Sequence, residues 1–232
     1  MMRRVRTALA VILSLLICGI VVLDLTVPDD PPRPDDSNLL AVETGAPNLV
    51  SAVYLEARLY DTLFELLVFT VAVIGVRFYL SHRPSTGRST PIPESHVLQA
   101  SAQILFPLIL VLGLYLAFFG HLSPGGGFSG GVVAASGLLL CVMSIGLDAV
   151  YSRLSGAVVE WLEWALPMMI VAVCVLPLAF GRPILSNLLP AGRAGHVFGS
   201  PSILLLNALI GLKVLIGSWM VLHAFIHHRG EI

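Results

Sequence analysis

Six long apolar runs constrain the fold of this chain more than any other feature. A helix needs about 20 apolar residues to cross ~30 Å of hydrocarbon, and 56% of the 232 residues are hydrophobic while only 12% are charged. The runs are continuous and lack the alternation of outer-membrane strands, which predicts helices. They cover residues 5–25, 62–80, 97–119, 131–150, 162–180 and 201–226. We therefore expect an all-α integral membrane protein with about six transmembrane helices.

The arginines predict the orientation of these helices, because cytoplasmic loops carry an excess of basic residues. With a cytoplasmic N-terminus, eight arginines fall on the cytoplasmic side and four on the other. The eight are Arg3, Arg4, Arg6, Arg77, Arg83, Arg88, Arg153 and Arg229, and the four are Arg33, Arg58, Arg182 and Arg193. Both termini are expected in the cytoplasm. The first run begins like a signal peptide but lacks a small-x-small cleavage site, so we expect it to be retained.

A polar linker divides the chain into two parts. Residues 81–96 are rich in proline, serine and threonine, a composition typical of an exposed loop. The linker separates a two-helix module, residues 1–80, from a four-helix module, residues 97–232. Before the second span, residues 48–60 are partly apolar, which predicts a short helix at the membrane interface.

A glycine-rich turn, residues 120–131, connects the third and fourth spans. Pro124 has no backbone donor and glycine can adopt positive φ, so one helix can end and the next begin within a few residues. Small residues then recur at every fourth position in two rows, a pattern typical of closely packed transmembrane helices. The rows are Gly127, Gly131 and Ala135, and Gly126, Gly130 and Ala134. We expect the first row to contact another helix. No Lys-Ser or Lys-Thr follows the turn, which argues against a phosphate loop.

Neither a cofactor nor a metal site is expected. Cys18, Cys141 and Cys174 are dispersed in apolar runs, without the Cys-x-x-Cys pairs of iron-sulfur or zinc sites. No nucleophile stands beside a base, which argues against an enzyme. The remaining titratable and aromatic candidates suit membrane interfaces or solvated helix ends. They are His121, Trp161, Trp164, Asp148, Arg153, His223, His227 and His228.

The ionisable residues near or inside the spans are the functional candidates. On a helix, Arg58, Asp61 and Glu65 share one face and can neutralise one another. A carboxylate in hydrocarbon costs at least ~2.5 kcal/mol, so Glu65 should face a partner helix or a water-filled cavity. The two interpretations are proton or cation handling and a structural ion pair at the helix entrance.

Lys213 lies near the middle of the last span, too far from either end for its ammonium to reach the interface. It needs a counter-charge, which we expect to come from Glu65 or from a carboxylate of a partner subunit. A buried lysine can exchange protons. A structural ion pair that positions the helix is the alternative.

The third to sixth spans resemble a known family. The residues that carry the resemblance include Phe106-Pro107, Tyr115, Gly120-His121, Pro124-Gly125-Gly126-Gly127-Phe128 and Gly130-Gly131. This pattern is similar to the B subunit of Mrp-type multisubunit Na+/H+ antiporters and its relatives in membrane-bound hydrogenases. The resemblance covers residues 97–226 and weakens after the glycine-rich turn. Ser129 replaces the glutamine that is expected there.

The region around Glu65 resembles a different part of the same assemblies. Arg58, Asp61, Thr62, Leu63 and Glu65 match a pattern near the C-terminal end of the large A subunit, a module that is a separate small subunit in the hydrogenases. Leu59 and Phe64 replace glycines of that pattern. The resemblance implies that Glu65 lies on an ion path, with Asp61 and Arg58 as its partners. Thr62, Lys213 and His121 are the further ion-path candidates.

Together the resemblances imply an accessory, ion-path-forming subunit of a cation (Na+)/proton antiporter complex in a prokaryotic cell membrane. The complex could stand alone or be attached to an energy-converting, hydrogenase-like assembly. The implied partners are other antiporter subunits and lipid, with no nucleic acid, and Na+ and H+ would be cargo. The alternative is a purely structural scaffold that holds antiporter-like subunits together.

Overall fold

The computed structural model describes residues 11–12, 14–16, 18–19, 22, 37–57, 59–82, 95–182 and 189–227. Every regular element in these ranges is helical, and five of the helices are long and apolar enough to cross a membrane. The expected all-α membrane fold is confirmed. Of the first predicted span only eight residues are described, and all eight are helical. The linker prediction falls mostly outside the described residues.

The helices follow the apolar runs closely. The five long helices are α3 (Leu59–Ser81), α4 (His96–Phe118), α5 (Gly127–Ile145), α7 (Gly156–Val175, continued by the 3₁₀ turn Leu176–Phe180) and α8 (Pro201–His227). The shorter elements are α1 (Ser37–Thr44), α2 (Leu49–Ala52), a π-helical turn (Val53–Ala57) and α6 (Leu147–Tyr151).

The fourth predicted span, residues 131–150, is wrong at both ends. Gly146 adopts a φ of 86°, which ends α5 and starts the short α6. At the other end, the glycines that form the turn also form the first turns of α5, because their lack of side chains lets the helix begin against its neighbours.

Helix α8 occupies the centre of the bundle. It packs against α3, α4, α5 and α7, and 61% of its apolar window is buried, against 39% or less for each of the other four helices. The two predicted modules share one apolar core, since Leu63 and Leu66 of α3 cluster with Leu206 and Ile210 of α8. Whatever their origin, the two parts pack as a single unit.

The rows of small residues are helix contacts, as expected, but the partners lie in the same chain. A β-carbon built on Gly127 would be 2.6 Å from the carbonyl oxygen of Asn207, and one on Gly131 would be 2.5 Å from that of Gly211. Gly130 faces α4, where the carbonyl oxygen of Gly113 would be 2.6 Å away. Within the chain, the glycines of the turn and of the first turns of α5 join α5 to α8 and α4.

A polar cap covers the end of the bundle that is predicted to be extracytoplasmic. The expected short helix is confirmed as α2 and the following π-helical turn. Asn48 caps α2, and its side-chain nitrogen donates to the carbonyl oxygens of Gly120 (2.6 Å) and Ser123 (2.9 Å). Ser200 Oγ donates to the carbonyl oxygen of Thr44. These bonds tie the segment before α3 to the glycine-rich turn and to the start of α8.

Candidate functional site

A buried ion pair lies between α7 and α8. The ammonium nitrogen of Lys213 donates to Oε1 of Glu163. Their side chains are 0% and 2% exposed, and Lys213 is the only lysine of the chain. The expectation that Lys213 needs a counter-charge is confirmed. The expectation that Glu65 supplies it is wrong, because Glu163 on the neighbouring helix already does.

The local sequence explains why Glu163 points inward. The buried positions of α7 recur every three or four residues, which is the periodicity of a single helix face. They are Glu163, Leu166, Pro167, Ile170, Val171 and Cys174. Glu163 therefore lies on the same face as the apolar core residues, about 10 Å along the axis from the first residue of α7. This periodicity is the signal that could have identified it from the sequence.

The pair contacts an aromatic ring on one side, and on the other side one carboxylate oxygen of Glu163 lacks a hydrogen-bond partner among the described residues. The ring of Phe69 on α3 lies 5.6 Å from Lys213 Nζ, a distance suited to a cation–π contact. Glu163 Oε2 is buried and has no hydrogen-bond partner among the described residues. A carboxylate with one oxygen paired and the other free can accept a proton or contact a cation without any rearrangement of the backbone.

A second polar cluster lies at the capped end of α8. Asn207 is fully buried, and its Oδ1 accepts hydrogen bonds from the backbone nitrogen of Gly127 (2.8 Å) and the hydroxyl of Tyr54 (3.1 Å). Burial raises the pKa of Tyr54 above its usual 10.0, and the nearby Glu65 carboxylate acts in the same direction, against the hydrogen bonds of Ser51 and Asn207. Tyr54 therefore stays protonated and donates to Asn207.

Three nitrogen atoms in this part of the molecule lack partners among the described residues. They are Nδ2 of Asn207 and both ring nitrogens of His121. We expected His121 at the interface, but its side chain is 0% exposed, because α2 and its cap cover the turn that carries it. Buried unpaired donors and acceptors are rare and are commonly satisfied by water or an ion.

The group around Glu65 lies on the outer surface of α3. Glu65 is exposed and Asp61 is half-buried, so Glu65 faces neither a helix of this chain nor an internal cavity. Thr62 is buried and donates to the carbonyl oxygen of Tyr54 at 2.5 Å. Arg58 lies outside the described residues. The ion-path role of these residues stays a prediction.

The other sequence candidates occupy varied places. Trp161 is 66% exposed, whereas the indole nitrogen of Trp164 is buried. His223 stacks on Tyr151 with ring centroids 4.8 Å apart. The described residues contain no group of three or more His, Cys, Asp or Glu that could hold a metal. His228 and the side chain of His227 lie outside the description.

The turn residues follow the expected packing in part. Gly126 has a φ of 155°, as expected for one of the three consecutive glycines. Phe128 packs against the main core cluster. Pro124 is exposed and Gly125 is half-buried. Gly125 still packs tightly, since a β-carbon there would be 2.9 Å from the carbonyl oxygen of Leu116.

Known proteins with similar folds are parts of multisubunit membrane complexes. A chain of the membrane-bound sulfane sulfur reductase (MBS), an archaeal respiratory membrane complex, matches with a TM-score of 0.69 and 28% identity, over 97% of this chain and 99% of that chain. A chain of the Mrp complex from Dietzia sp. DQ12-45-1b matches with a TM-score of 0.63 and 24% identity, over 98% of this chain and 26% of that one. The second likeness shows the fold alone.

Sequence relatives match a part of the chain. An uncharacterised protein of Methanocaldococcus jannaschii is 34% identical over 125 residues, 44% of this chain and 46% of that protein. A Staphylococcus aureus protein that carries the name of antiporter subunit mnhB2 is 30% identical over 96 residues, 39% of this chain and 64% of that protein. The chain thus spans less than two thirds of either relative.

A family model covers more than half of the chain. The model is described as a domain related to the MnhB subunit of Na+/H+ antiporter, and it matches residues 97–220 of the 232. These are the residues of α4 to α8, which include the glycine-rich turn and both members of the buried ion pair. The multi-pass membrane protein described above therefore belongs to the family of domains related to the MnhB subunit of Na+/H+ antiporters.

Proposed function

We propose that the chain is an accessory, ion-path-forming subunit of a Mrp-type cation (Na+)/proton antiporter complex. Family membership and the transport names of the relatives support this proposal. The fold likeness to chains of two multisubunit membrane complexes supports assembly with other subunits. The match to nearly the whole of a chain in a respiratory complex favours a place in an energy-converting assembly.

The observation that carries the proposal is the Glu163–Lys213 pair in the centre of the bundle. Ionisable residues inside a membrane are costly and commonly mark ion or proton paths. Protonation of Glu163 would cancel the attraction to Lys213, and loss of that proton would restore it. Na+ could take the place of the proton at the carboxylate, since carboxylate oxygen is a suitable ligand for a hard cation.

Polar groups continue along α8 from this pair towards the cap. Asn207 lies six residues before Lys213, about 9 Å along the helix axis. Its Nδ2 and both ring nitrogens of His121 lack partners among the described residues. The amide would hold water at that end, and the imidazole would hold water or pass protons. Glu65 and Asp61 would serve a different surface, the outer face of α3, where another subunit can cover them.

Catalysis and redox chemistry are assigned to other subunits in this proposal. The family description and the name of the Staphylococcus aureus relative denote antiporter subunits, which favours transport over catalysis. The chain would bind no cofactor of its own, with Na+ and H+ as cargo and lipid and neighbouring subunits as its contacts.

The test is cation-dependent proton flux in vesicles that contain the whole complex. Glu163→Gln alone leaves Lys213 unpaired and can destabilise the fold, so the decisive variant combines Glu163→Gln with Lys213→Met, which removes both charges at similar side-chain length. We expect this double variant to assemble and to lose most of the flux. Glu43→Gln, at an exposed position of the cap, is the matched control and should keep wild-type flux.

The scaffold alternative predicts the opposite result. If the pair only joins α7 to α8, the double variant assembles with normal subunit stoichiometry and transports at the wild-type rate. That outcome would reject the ion path through Glu163 and leave a structural role.

A further inference from the structure

A small pocket opens at the end of the bundle that is predicted to be cytoplasmic. It lies next to α6, where the C-terminal end of α3, the N-terminal end of α7 and the C-terminal end of α8 meet. Its lining includes Arg77, Tyr151, Glu160, Trp219, Met220 and His223. The cavity volume is about 70 Å³. One buried water needs roughly 10–15 Å³ of such volume, so the pocket can hold several.

The pocket brings an ionisable side chain from each of three long helices to one place. Arg77 of α3 donates to Oε1 of Glu160 on α7 at 3.3 Å, with side chains 30% and 36% exposed. His223 of α8 lines the same space and stacks on Tyr151 of α6. Such half-exposed groups remain hydrated, and a carboxylate or an imidazole in contact with water can exchange protons with it.

The bottom of the pocket lies close to the buried ion pair. Glu160 and Glu163 are three residues apart on α7 and therefore share one face, about 4.5 Å apart along the axis. Arg77 is near enough to Glu163 to interact with it electrostatically. The guanidinium of Arg77 also contacts the sulfur of Met220, 3.9 Å away, and Met220 lies two turns from Lys213 on α8.

A thin apolar layer separates the pocket from the pair. Val73 of α3 and Ile216 of α8 belong to one buried apolar cluster and lie at this level, one turn deeper than Arg77 and Met220. A β-carbon on Gly217 would lie 2.5 Å from the Phe69 ring, so α3 and α8 are in close contact there. The layer is only about one helical turn deep, because Glu160 is on one side of it and Glu163 on the other.

We propose that this pocket is the aqueous vestibule through which protons reach Glu163 from the cytoplasm, with Glu160 as the relay carboxylate. One proton passes from hydronium in the pocket to Glu160, leaving water, and then to the free Oε2 of Glu163, which becomes a neutral carboxylic acid. Arg77 holds Glu160 at the floor of the pocket. This proposal rests on the ion path through Glu163 proposed above.

The first test measures water access by cysteine labelling of the complex in vesicles. Cys18, Cys141 and Cys174 are replaced by serine or alanine, and single cysteines are placed at Met220, in the pocket, and at Ile216, one turn deeper in the apolar layer. A charged, membrane-impermeant thiosulfonate reagent is added from either side. We expect Met220→Cys to react from the cytoplasmic side at least about tenfold faster than Ile216→Cys, and its modification to reduce proton flux about tenfold.

The second test replaces the relay carboxylate. Glu160→Gln should reduce flux severalfold with unchanged subunit stoichiometry, and Glu160→Asp should retain most of the flux, a rescue that a purely structural role does not predict. An unreactive Met220→Cys, equal reaction at Ile216, or full flux in Glu160→Gln would each overturn the vestibule. If one of these results is found and the Glu163/Lys213 double variant still loses flux, the vestibule is rejected and the ion path through Glu163 is retained. Full flux in the double variant would reject the ion path, whatever the labelling shows.

Discussion

Lys213 and Glu163 form an ion pair across a sequence separation of fifty residues, with both side chains out of contact with solvent. Loss of one partner leaves the other buried without compensation. Removal of one charge from this buried pair should therefore lower the stability of the chain strongly, whereas removal of either charge from a surface salt bridge changes stability little.

The pair should show strong coupling in the stability of the chain. We expect Glu163→Gln to destabilise the bundle by about 3–5 kcal/mol, because the Lys213 ammonium remains buried. Adding Lys213→Met should recover much of that loss. A double-mutant cycle on thermal unfolding in detergent measures the coupling, and additive effects of the two changes would contradict direct pairing.

The contact of α5 with α8 should not tolerate bulk. Gly127→Leu or Gly131→Leu places side-chain atoms where backbone atoms of Asn207 and Gly211 now lie, and overpacking of this kind costs typically ~1–3 kcal/mol. The melting temperature of the solubilised protein should fall. Val132→Leu, at an exposed position of the same helix, is the control and should melt like the wild type; an equal fall in all three variants would show that the glycine contacts are not the cause.

Asn207 should stabilise the start of α5 through the Gly127 amide. Asn207→Leu removes the acceptor for that buried N–H, which costs about 1–3 kcal/mol. Tyr54→Phe removes only the second donor to the same oxygen and should cost less. Amide hydrogen exchange at the first turn of α5 would report the difference, and unchanged protection in Asn207→Leu would mean that another acceptor serves this amide.

Glu65 should be dispensable for the stability of the chain but not for transport. Its side chain is exposed, so Glu65→Gln should leave the melting temperature of the isolated chain unchanged. In the assembled complex we expect a loss of cation-dependent proton flux, as predicted for an ion-path carboxylate. Wild-type flux in Glu65→Gln would remove this residue from the path and leave Glu163 unaffected.

The two ends of the bundle should face opposite sides of the membrane. Ser152, between α6 and α7, and Ala191, before α8, are both exposed. In a background without native cysteines, Ser152→Cys should react with an impermeant reagent from the cytoplasm and Ala191→Cys from the other side. Reaction of both from the same side would refute the predicted topology.

The sequence predicted most of the helices because each is a long apolar run, and the bilayer makes a helix almost the only solution for such a run. It also predicted the small-residue rows, since a four-residue spacing implies close helix contact. It failed at the end of α5, where a single glycine at positive φ ends the helix inside an apolar run.

Of the two residues in the buried ion pair, only Lys213 was predicted from the sequence. Lys213 stood out because it lies mid-span, but Glu163 was the second residue of the predicted fifth span, where a carboxylate would be near water. The structure starts α7 six residues earlier, at Gly156, which moves Glu163 into the interior. The choice of partner depends on which helices are neighbours, and apolar periodicity in one helix does not specify its neighbours.

The central position of α8 has a consequence for biogenesis, because this helix is made after the other described helices. Glu163 leaves the ribosome fifty residues ahead of Lys213, an interval of several seconds at about 5–20 residues per second. During that time α7 enters the membrane with its acidic group unmatched, which favours insertion in the protonated form. The arrival of α8 then supplies both the missing charge and the helix against which the other four long helices pack, so one insertion event provides the packing partner and the counter-charge together.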